Sequence, residues 1–318
     1  MVKISLIDPR NNKKLSNKDL TRFKKFSNIL DLYISEKSDL SNIQSDFYND
    51  VKFPNYDDIE DFGSLIDKAN KSIFAKMLDD EIPMGSSVLE AGCGTGQLGI
   101  FLSRYNRQIH AIDISKGSLI EAKKFVTNNS IKNINFYRMN IFNLFFAENT
   151  FDIIISNGVL HHTHNAELAF TKLCKILKNN GLIIIGLYHK FGRIFHNFRK
   201  FLIRKFGRSF DILDKRLRDK LSSKKIYAWY KDQYENPSET VHTLSEVMAW
   251  FRKNNIEYLS SIPFDFNQGD KLFSKKVLRN SYEYFIDEFL LTFSPRQIYE
   301  GGFFIVIGRK FQAKKSLV

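Results

Sequence analysis

From Ser86 onward, short and nearly continuous apolar runs alternate with stretches of helical period. The runs are Ser87-Val-Leu-Glu90, Gln108–Asp113, Ile134–Arg138, 151–156 and 182–187. Unbroken apolar runs mark strands covered on both faces, and their alternation with helices predicts βαβ units in a parallel sheet. The clearest helix spans 166–177, where Ala166, Ala169, Phe170, Leu173 and Leu177 share one face. Lys178-Asn-Asn-Gly181 is predicted to stop it with a C-cap glycine. Upstream, Leu65, Ala69, Ile73 and Leu78 predict one helix over 63–79. Residues 1–50 are polar, with apolar runs at 4–7 and 29–34 that read as the strands of a small hairpin unit. After the fifth strand the alternation breaks. Residues 190–243 read as helical and basic. A helix resumes over 244–251, with Thr243 as N-cap and Glu246 completing a capping box. The last strands are predicted at 256–261 and 303–308, with a second insertion, rich in Phe and Tyr, at 264–300.

The chain has 318 residues, 43% hydrophobic and 26% charged, with 16 Gly and 6 Pro, which excludes disordered and collagen-like classes. Cys93 and Cys174 alone can make neither a disulfide framework nor a cysteine-rich zinc site. The first nine residues hold no long apolar run and read as no secretory signal. Nothing approaches 18 consecutive apolar residues, so a soluble protein of a reducing compartment is expected. The net charge of +13 suits nucleic acid, anionic lipid or an acidic substrate, and equally a compositional bias toward Lys, Asn, Ile and Phe.

Four of the 16 glycines fall in Glu90-Ala-Gly-Cys-Gly-Thr-Gly-Gln-Leu-Gly99, between a buried strand and a helix. Glycines so spaced let main chain approach a ligand closely. A dinucleotide loop needs glycine where Gln97 stands, and a phosphate-cradling loop needs Lys-Ser/Thr after Gly96, where Gln97-Leu98 stand. What remains is G-x-G-x-G preceded by an acid, Glu90, which repels phosphate and suits an ammonium. Asp113 ends the second strand, where a carboxylate can accept from both hydroxyls of a ribose or cap the next helix. Together the loop and the acid point to an adenosine-bearing ligand without phosphates, such as S-adenosylmethionine.

With Val88-Leu-Glu-Ala-Gly-Cys-Gly-Thr-Gly96, Ala111-Ile-Asp-Ile114, Phe151-Asp-Ile-Ile-Ile-Ser-Asn-Gly-Val-Leu-His-His162 and Leu177-Lys-Asn-Asn-Gly-Leu-Ile-Ile-Ile-Gly186, the chain resembles class I S-adenosylmethionine-dependent methyltransferases. The similarity covers 64–187, 244–261 and 302–309, and its Leu-His-His stretch is closest to the ubiquinone/menaquinone-type small-molecule group. The resemblance implies an α/β, Rossmann-like fold: a seven-stranded, mostly parallel sheet with the last strand antiparallel, helices on both faces and a helical cap. It implies that Glu90, Gly92, Gly94 and Gly96 shape the methionine pocket, that Asp113 holds the ribose, and that Asn157 lies beside the methionine ammonium. Asn140 stands where the family often has Asp, and its Oδ1 can accept from the adenine amino group.

Methyl transfer from a sulfonium needs alignment, a water-poor cavity and, for an acidic acceptor group, a base. His161, His162 and His164 cluster past the fourth strand, with His162 and His161 the first candidates for a base or a structural role; no metal is expected. Tyr230, Asp232, Gln233, Tyr234 and His242 overhang the mouth of the fold and are candidates to orient an acceptor, as ordinary packing is for each singly. Phe47, Tyr48 and Tyr56 are expected to close the other side. Ser156-Asn-Gly-Val159 lacks the Asn/Asp-Pro-Pro-aromatic motif of amino-methylating nucleic-acid enzymes, and neither cysteine is placed as a nucleophile toward a base.

Between 190 and 225 stand thirteen Lys/Arg against three acids, with Phe195, Phe198, Leu202 and Phe206 at helical spacing. Three uses stay open: a cap with phenylalanines over the site and cations in water, an anionic-membrane contact through 193–208, or an RNA contact. The expected layout is an N-terminal extension over 1–50, zinc-ribbon-like but lacking cysteines. A methyltransferase domain follows over 51–310, with insertions at 190–243 and 264–300 and a basic tail over 311–318. The expected function is a methyltransferase, cytoplasmic or peripheral to a membrane, acting at oxygen or carbon of a small aromatic or lipid-like acceptor. RNA methylation through 190–225 and a non-catalytic cofactor-binding subunit are the alternatives.

Overall fold

The computed structural model describes residues 4–35, 39–50, 54–214, 217, 223–266, 269–294 and 302–312. Its main sheet contains β3 (Lys25–Phe26), β4 (Ile29–Asp31), β5 (Ser87–Ala91), β6 (Gln108–Asp113), β7 (Ile134–Arg138), β8 (Phe151–Asn157), β9 (Leu177–Tyr188), β10 (Ile256–Ile262) and β11 (Phe303–Lys310). Across the sheet the order is β10-β11-β9-β8-β5-β6-β7-β4-β3. Strands β5 to β9 pair in parallel, while β11 runs antiparallel to both β9 and β10. This is the expected methyltransferase sheet, widened at one edge by β4, parallel to β7, and by β3, antiparallel to β4.

Alternate residues of each buried strand feed two cores, as the two-residue period of a strand requires. Leu89, Ile154 and Ile183 pack on one face with Phe170 and Phe251, whose rings stack at 5.3 Å. Val88, Ile153 and Ile184 pack on the other with Leu78, Phe101 and Leu119. The helices covering these faces include α3 (Phe62–Asn70), α4 (Ile73–Glu81), α5 (Gln97–Leu102), α6 (Lys116–Asn128), α7 (Ala166–Ile176) and α10 (Leu244–Lys253). Thr243 caps α10 in the predicted box with Glu246.

Three expectations are corrected. The runs at 4–7 and 29–34 do not pair with each other. Instead β1 (Ile7–Asp8) pairs with β2 (Lys13–Lys14), and β4 joins the main sheet beside β7. The helix predicted over 63–79 is two helices, because the Ser72 hydroxyl accepts from Ala75 N–H and starts a new N-terminus, leaving Ile73 exposed. Gly181 is not a left-handed cap, since the left-handed residue is Asn180 at φ 62°. A Cβ on Gly181 would lie 2.8 Å from the Leu177 side chain and 2.9 Å from the Asp152 carbonyl, so close packing explains the glycine.

Below the loops, α4 is tied to β6 by a buried ion pair. Arg107 donates from Nη1 to Asp79 Oδ1 at 2.7 Å and from Nη2 to the Ile82 carbonyl at 2.7 Å. Removing one partner strands a buried charge. Asp79→Ala is expected to lower stability by about 3–5 kcal/mol in urea melts. A loss under about 1 kcal/mol would mean that Arg107 finds other partners or water.

Candidate functional site

The parallel strands β5 and β8 diverge in connection at the centre of the sheet, and a crevice opens at their carboxyl ends. The chain leaves β5 through Gly92, Gly94 and Gly96, at φ 77°, 52° and 75°. A Cβ on Gly92 would lie 2.4 Å from Val159, and one on Gly96 2.9 Å from the Phe136 ring. The Ile112 carbonyl accepts from Gly92 N–H and Cys93 N–H at 2.8 and 3.0 Å. Asp113 Oδ2 then accepts from Gly94 N–H at 2.7 Å, and Oδ1 from Ser115 N–H at 2.8 Å. Burial raises the Asp113 pKa, opposed by those same backbone donors. A carboxylate has about four acceptor positions, more than its backbone donors fill, and Asp113 lines the cavity.

The loop, Asp113 and the α2 helix (Asp39–Asp50) border one cavity of about 430 Å³. Asn140 lines it while its Oδ1 accepts from Phe142 N–H at 3.0 Å and starts a 3₁₀ turn. Asn157 sits at the end of β8 over Gly186, where a Cβ would lie 2.1 Å from Asn157 Oδ1. His162 borders the far end. Its Nδ1 donates to the Ser238 carbonyl at 2.8 Å, which leaves the lone pair of a neutral ring on Nε2.

A polar wall faces His162. Tyr48 OH donates to Asp232 Oδ1 at 3.1 Å, and Gln233 Nε2 donates to Asp232 Oδ2 and to Tyr188 OH, each at 2.8 Å. Arg193 holds Gln233 Oε1 at 2.8 Å, grips Glu239 through Nε and Nη2, and lies 3.6 Å above the Tyr188 ring. Burial alone would raise the Glu239 pKa, but Arg193 and Lys200 outweigh it and hold the carboxyl below its ordinary value.

The structure brings Glu90, Gly92, Gly94, Asp113, Asn140, Asn157 and His162 to one cavity, while Gly96, in the same loop, packs on Phe136 and Ala122 and does not line it. It does not bring His161, Tyr234 or His242 there. His161 is fully buried between His162 and Tyr188, with ring centroids at 4.2 and 4.1 Å, and neither ring nitrogen has a partner among the described residues. Burial, reinforced by His162 and Arg193, holds its pKa well below the usual range. Residues Lys231–Glu235 form a π-helical turn that follows α9 (Ser223–Tyr230). This turn sends Asp232 and Gln233 to the cavity and Tyr234 away, its OH donating to Asp214 at 2.5 Å. His242 packs on Trp250 and bonds Thr240. Of the three aromatics expected to close the side opposite 228–242, Tyr48 instead joins that segment, bonding Asp232 and Asn236 at the cavity, and Tyr56 supports the glycine loop by donating to the Thr95 carbonyl at 2.8 Å.

The cap departs from the expectation of phenylalanines inside and cations in water: its phenylalanines face out and two of its arginines are inside, while Lys190, Arg204 and Lys205 stay in water. In α8 (Ile194–Phe206), His196 and Arg199 are buried along with Arg193, while Phe195, Phe198 and Phe206 are exposed. Arg193 can sit inside because Glu239, Gln233 and the Tyr188 ring satisfy it. Sequence reasoning also missed Leu40, Ser41 and Gln44, which line the cavity with Tyr48. Their spacing, one face of a helix, was the available signal.

Glu90 is buried against Gly99, whose N–H donates to Oε2 at 2.9 Å; a Cβ on Gly99 would lie 2.4 Å from that oxygen. Burial pushes the Glu90 carboxyl up to about 8, opposed by the Gly99 N–H. Between the ordinary carboxylate pKa and about 8, the folded chain keeps a proton that the unfolded chain has released. Stability from this group is therefore complete at low pH, falls as pH rises through that window, and is level above it. Glu90→Gln is expected to flatten that slope in thermal melts of the ligand-free chain; an unchanged slope would assign the pH dependence elsewhere.

Comparisons with known proteins agree with this geometry. A family model described as a methyltransferase domain matches residues 82–255, more than half of the chain. An uncharacterised protein of Synechococcus is 24% identical over 229 residues, covering 62% of this chain and 53% of the relative. A ubiquinone biosynthesis O-methyltransferase of Rickettsia conorii is 27% identical over 117 residues, covering 37% of this chain and 39% of the relative. The matched stretches thus span about half or less of these curated relatives. Among solved structures, geranyl diphosphate C-methyltransferase from Streptomyces coelicolor, bound to Mg2+, geranyl diphosphate and S-adenosyl-L-homocysteine, superposes with a TM-score of 0.51 at 13% identity, covering 87% of this chain and all of that one. Phosphoethanolamine N-methyltransferase 2 of Haemonchus contortus reaches 0.52 at 15% identity, covering 85% of this chain and 60% of that one. These two likenesses establish the fold. With the family match, the glycine loop and the carboxylate that clasps it, the chain belongs to the class I S-adenosylmethionine-dependent methyltransferases.

Proposed function

We propose that the chain moves a methyl group from S-adenosylmethionine to an oxygen or carbon of a small aromatic or lipid-like acceptor. The observation that carries this is the continuity of one cavity from Asp113 and the glycine loop to His162 and Asp232. Asp113 offers its remaining acceptor capacity to the ribose hydroxyls. Glu90, Gly92, Gly94 and Asn157 surround the methionine end, with Gly96 setting the loop. Asn140 Oδ1, which has a second lone pair beyond the one Phe142 uses, takes the adenine amino group.

Bound in this way, S-adenosylmethionine supplies an electrophilic methyl on a sulfonium. The residues of the far end do the rest. Asp232, held by Tyr48 and Gln233, orients an acceptor hydroxyl. His162 Nε2 takes the hydroxyl proton as the oxygen–carbon bond forms and the sulfur–carbon bond breaks, its electron pair staying on sulfur. Tyr188, Phe142 and Phe303 keep the cavity poor in water. The ubiquinone O-methyltransferase relative supports oxygen as the acceptor atom. The RNA reading is weakened because Arg193 and Arg199, two cations of the basic stripe, are buried.

Asp113→Ala is expected to weaken S-adenosylmethionine binding by about 1–3 kcal/mol in calorimetry, the scale of charge-assisted hydrogen bonds. Unchanged affinity would take Asp113 out of the site. His162→Ala should slow turnover and leave cofactor affinity intact, and an unaltered rate would make that histidine structural. The acceptor itself is found by incubating the chain with metabolite extracts and looking by mass spectrometry for a gain of one methylene. No gain in any fraction, with cofactor still bound, would favour a non-catalytic subunit.

A further inference from the structure

The outward apolar stripe of α8 is repeated in a second helix. In α11 (Ser281–Leu290) the apolar residues follow the helical period, and that stripe faces outward. Phe285, Phe289 and Phe293, the last just beyond the helix, are 52%, 45% and 60% exposed. The buried anchors are polar. Tyr284 OH donates to Asp265, and Glu288 accepts from Leu244 N–H and pairs with His189 Nε2 at 2.9 Å. In α8, Ile194, Phe195, Phe198 and Phe201 form the outward stripe, with Phe198 56% exposed. Phe191, just before α8, touches Phe285 and Phe289 at 6.0 and 5.9 Å, which sets the start of α8 beside α11.

We propose that the outer faces of α8 and α11 form one docking surface for the headgroup region of an anionic bilayer. An exposed aromatic face of this extent is uncommon on a monomer and marks an interaction site. Charge selects the occupant. From Lys190 to Arg208 there are seven Lys/Arg and no acid, and Lys190, Arg204 and Lys205 are exposed beside the phenylalanines; α11 itself adds apolar area and no cation, with Glu283 exposed and Asp287 paired with Arg279, so the attraction to phosphates rests on α8. Apolar rings flanked by cations match the acyl boundary and the phosphates above it. With 13 and 10 residues, α8 and α11 are too short to span, and no helix of the described residues is long and apolar enough to cross a membrane. They would lie in the interface. Tyr188 borders the cavity and α8 begins six residues later, so docking would set the acceptor end beside the lipid.

The surface is independent of the methyl-transfer reading and is tested apart from it, by flotation of the full chain with vesicles. The chain is expected to float with vesicles of phosphatidylcholine and phosphatidylglycerol in equal parts, weakly with phosphatidylcholine alone, and less as salt rises. The double variant Phe198→Asp with Phe289→Asp should lower the partition coefficient roughly tenfold or more, with S-adenosylmethionine affinity and the thermal melt unchanged. Lys205→Glu, in a side chain already in water, should cause a smaller, salt-sensitive fall and stands in if the double variant does not fold. Failure of the wild type to float with anionic vesicles would overturn the proposal, as would variants that float equally well. A concentration-dependent dimer in sedimentation velocity, abolished by Phe198→Asp and without vesicle binding, would assign the face to a second copy. Flotation without cofactor binding would sink the methyl-transfer reading and leave this surface standing.

Discussion

The Asp113 carboxylate accepts one hydrogen bond from the loop that follows β5 and another from the turn that follows β6. That bidentate grip across the middle of the sheet sets the distance between main chain and carboxylate at which a nucleoside can be held from both sides. It demands a loop of left-handed residues, and Gly92, Gly94 and Gly96 supply it. It also demands that β5 and β6 stay in register, which the two cores and the Asp79–Arg107 pair below enforce. The site is thus a consequence of sheet order first and of side chains second.

The acceptor half rests on different physics. There the chain buries Arg193, Gln233, Asp232 and Tyr188 and all but covers the Glu239 side chain, groups that are costly to desolvate singly. Each is satisfied by its neighbours, so the wall is rigid, and a pre-organised wall can place a substrate hydroxyl without first rearranging. Gln44 Oε1 is buried beside this wall without a partner among the described residues, a lone acceptor on the cavity's rim. Satisfying cations inside also freed the phenylalanines of α8 to face out.

The strands were legible because sheets buried on both faces leave unbroken apolar runs: Ile134–Arg138 and Gln108–Asp113 are found where the pattern put them. The capping box at Thr243 is equally local and equally readable. The break at Ser72 was hidden because apolar spacing continues across it, and β3 because two residues carry no period; β4 was read as a strand, but its pairing with β7, more than 100 residues on, leaves no local mark. In the site, Asp113 and the glycines declared themselves through local backbone needs. Tyr234 misled, because the π-helical turn over 231–235 rotates adjacent side chains in a way no spacing rule anticipates; His242 misled because it pairs with His189 and packs its ring on Trp250, away from the cavity. The sign of α8 was illegible for a further reason. Period identifies two faces of a helix, but which one turns inward depends on partners such as Glu239, 46 residues away from Arg193.

Titration calorimetry of the purified chain with S-adenosylmethionine, with its demethylated product and with a nicotinamide dinucleotide is the most direct trial of this account. Saturable one-site binding of the first two, and none of the third, is the predicted outcome. Heat with the dinucleotide, or with none of the three, would contradict it.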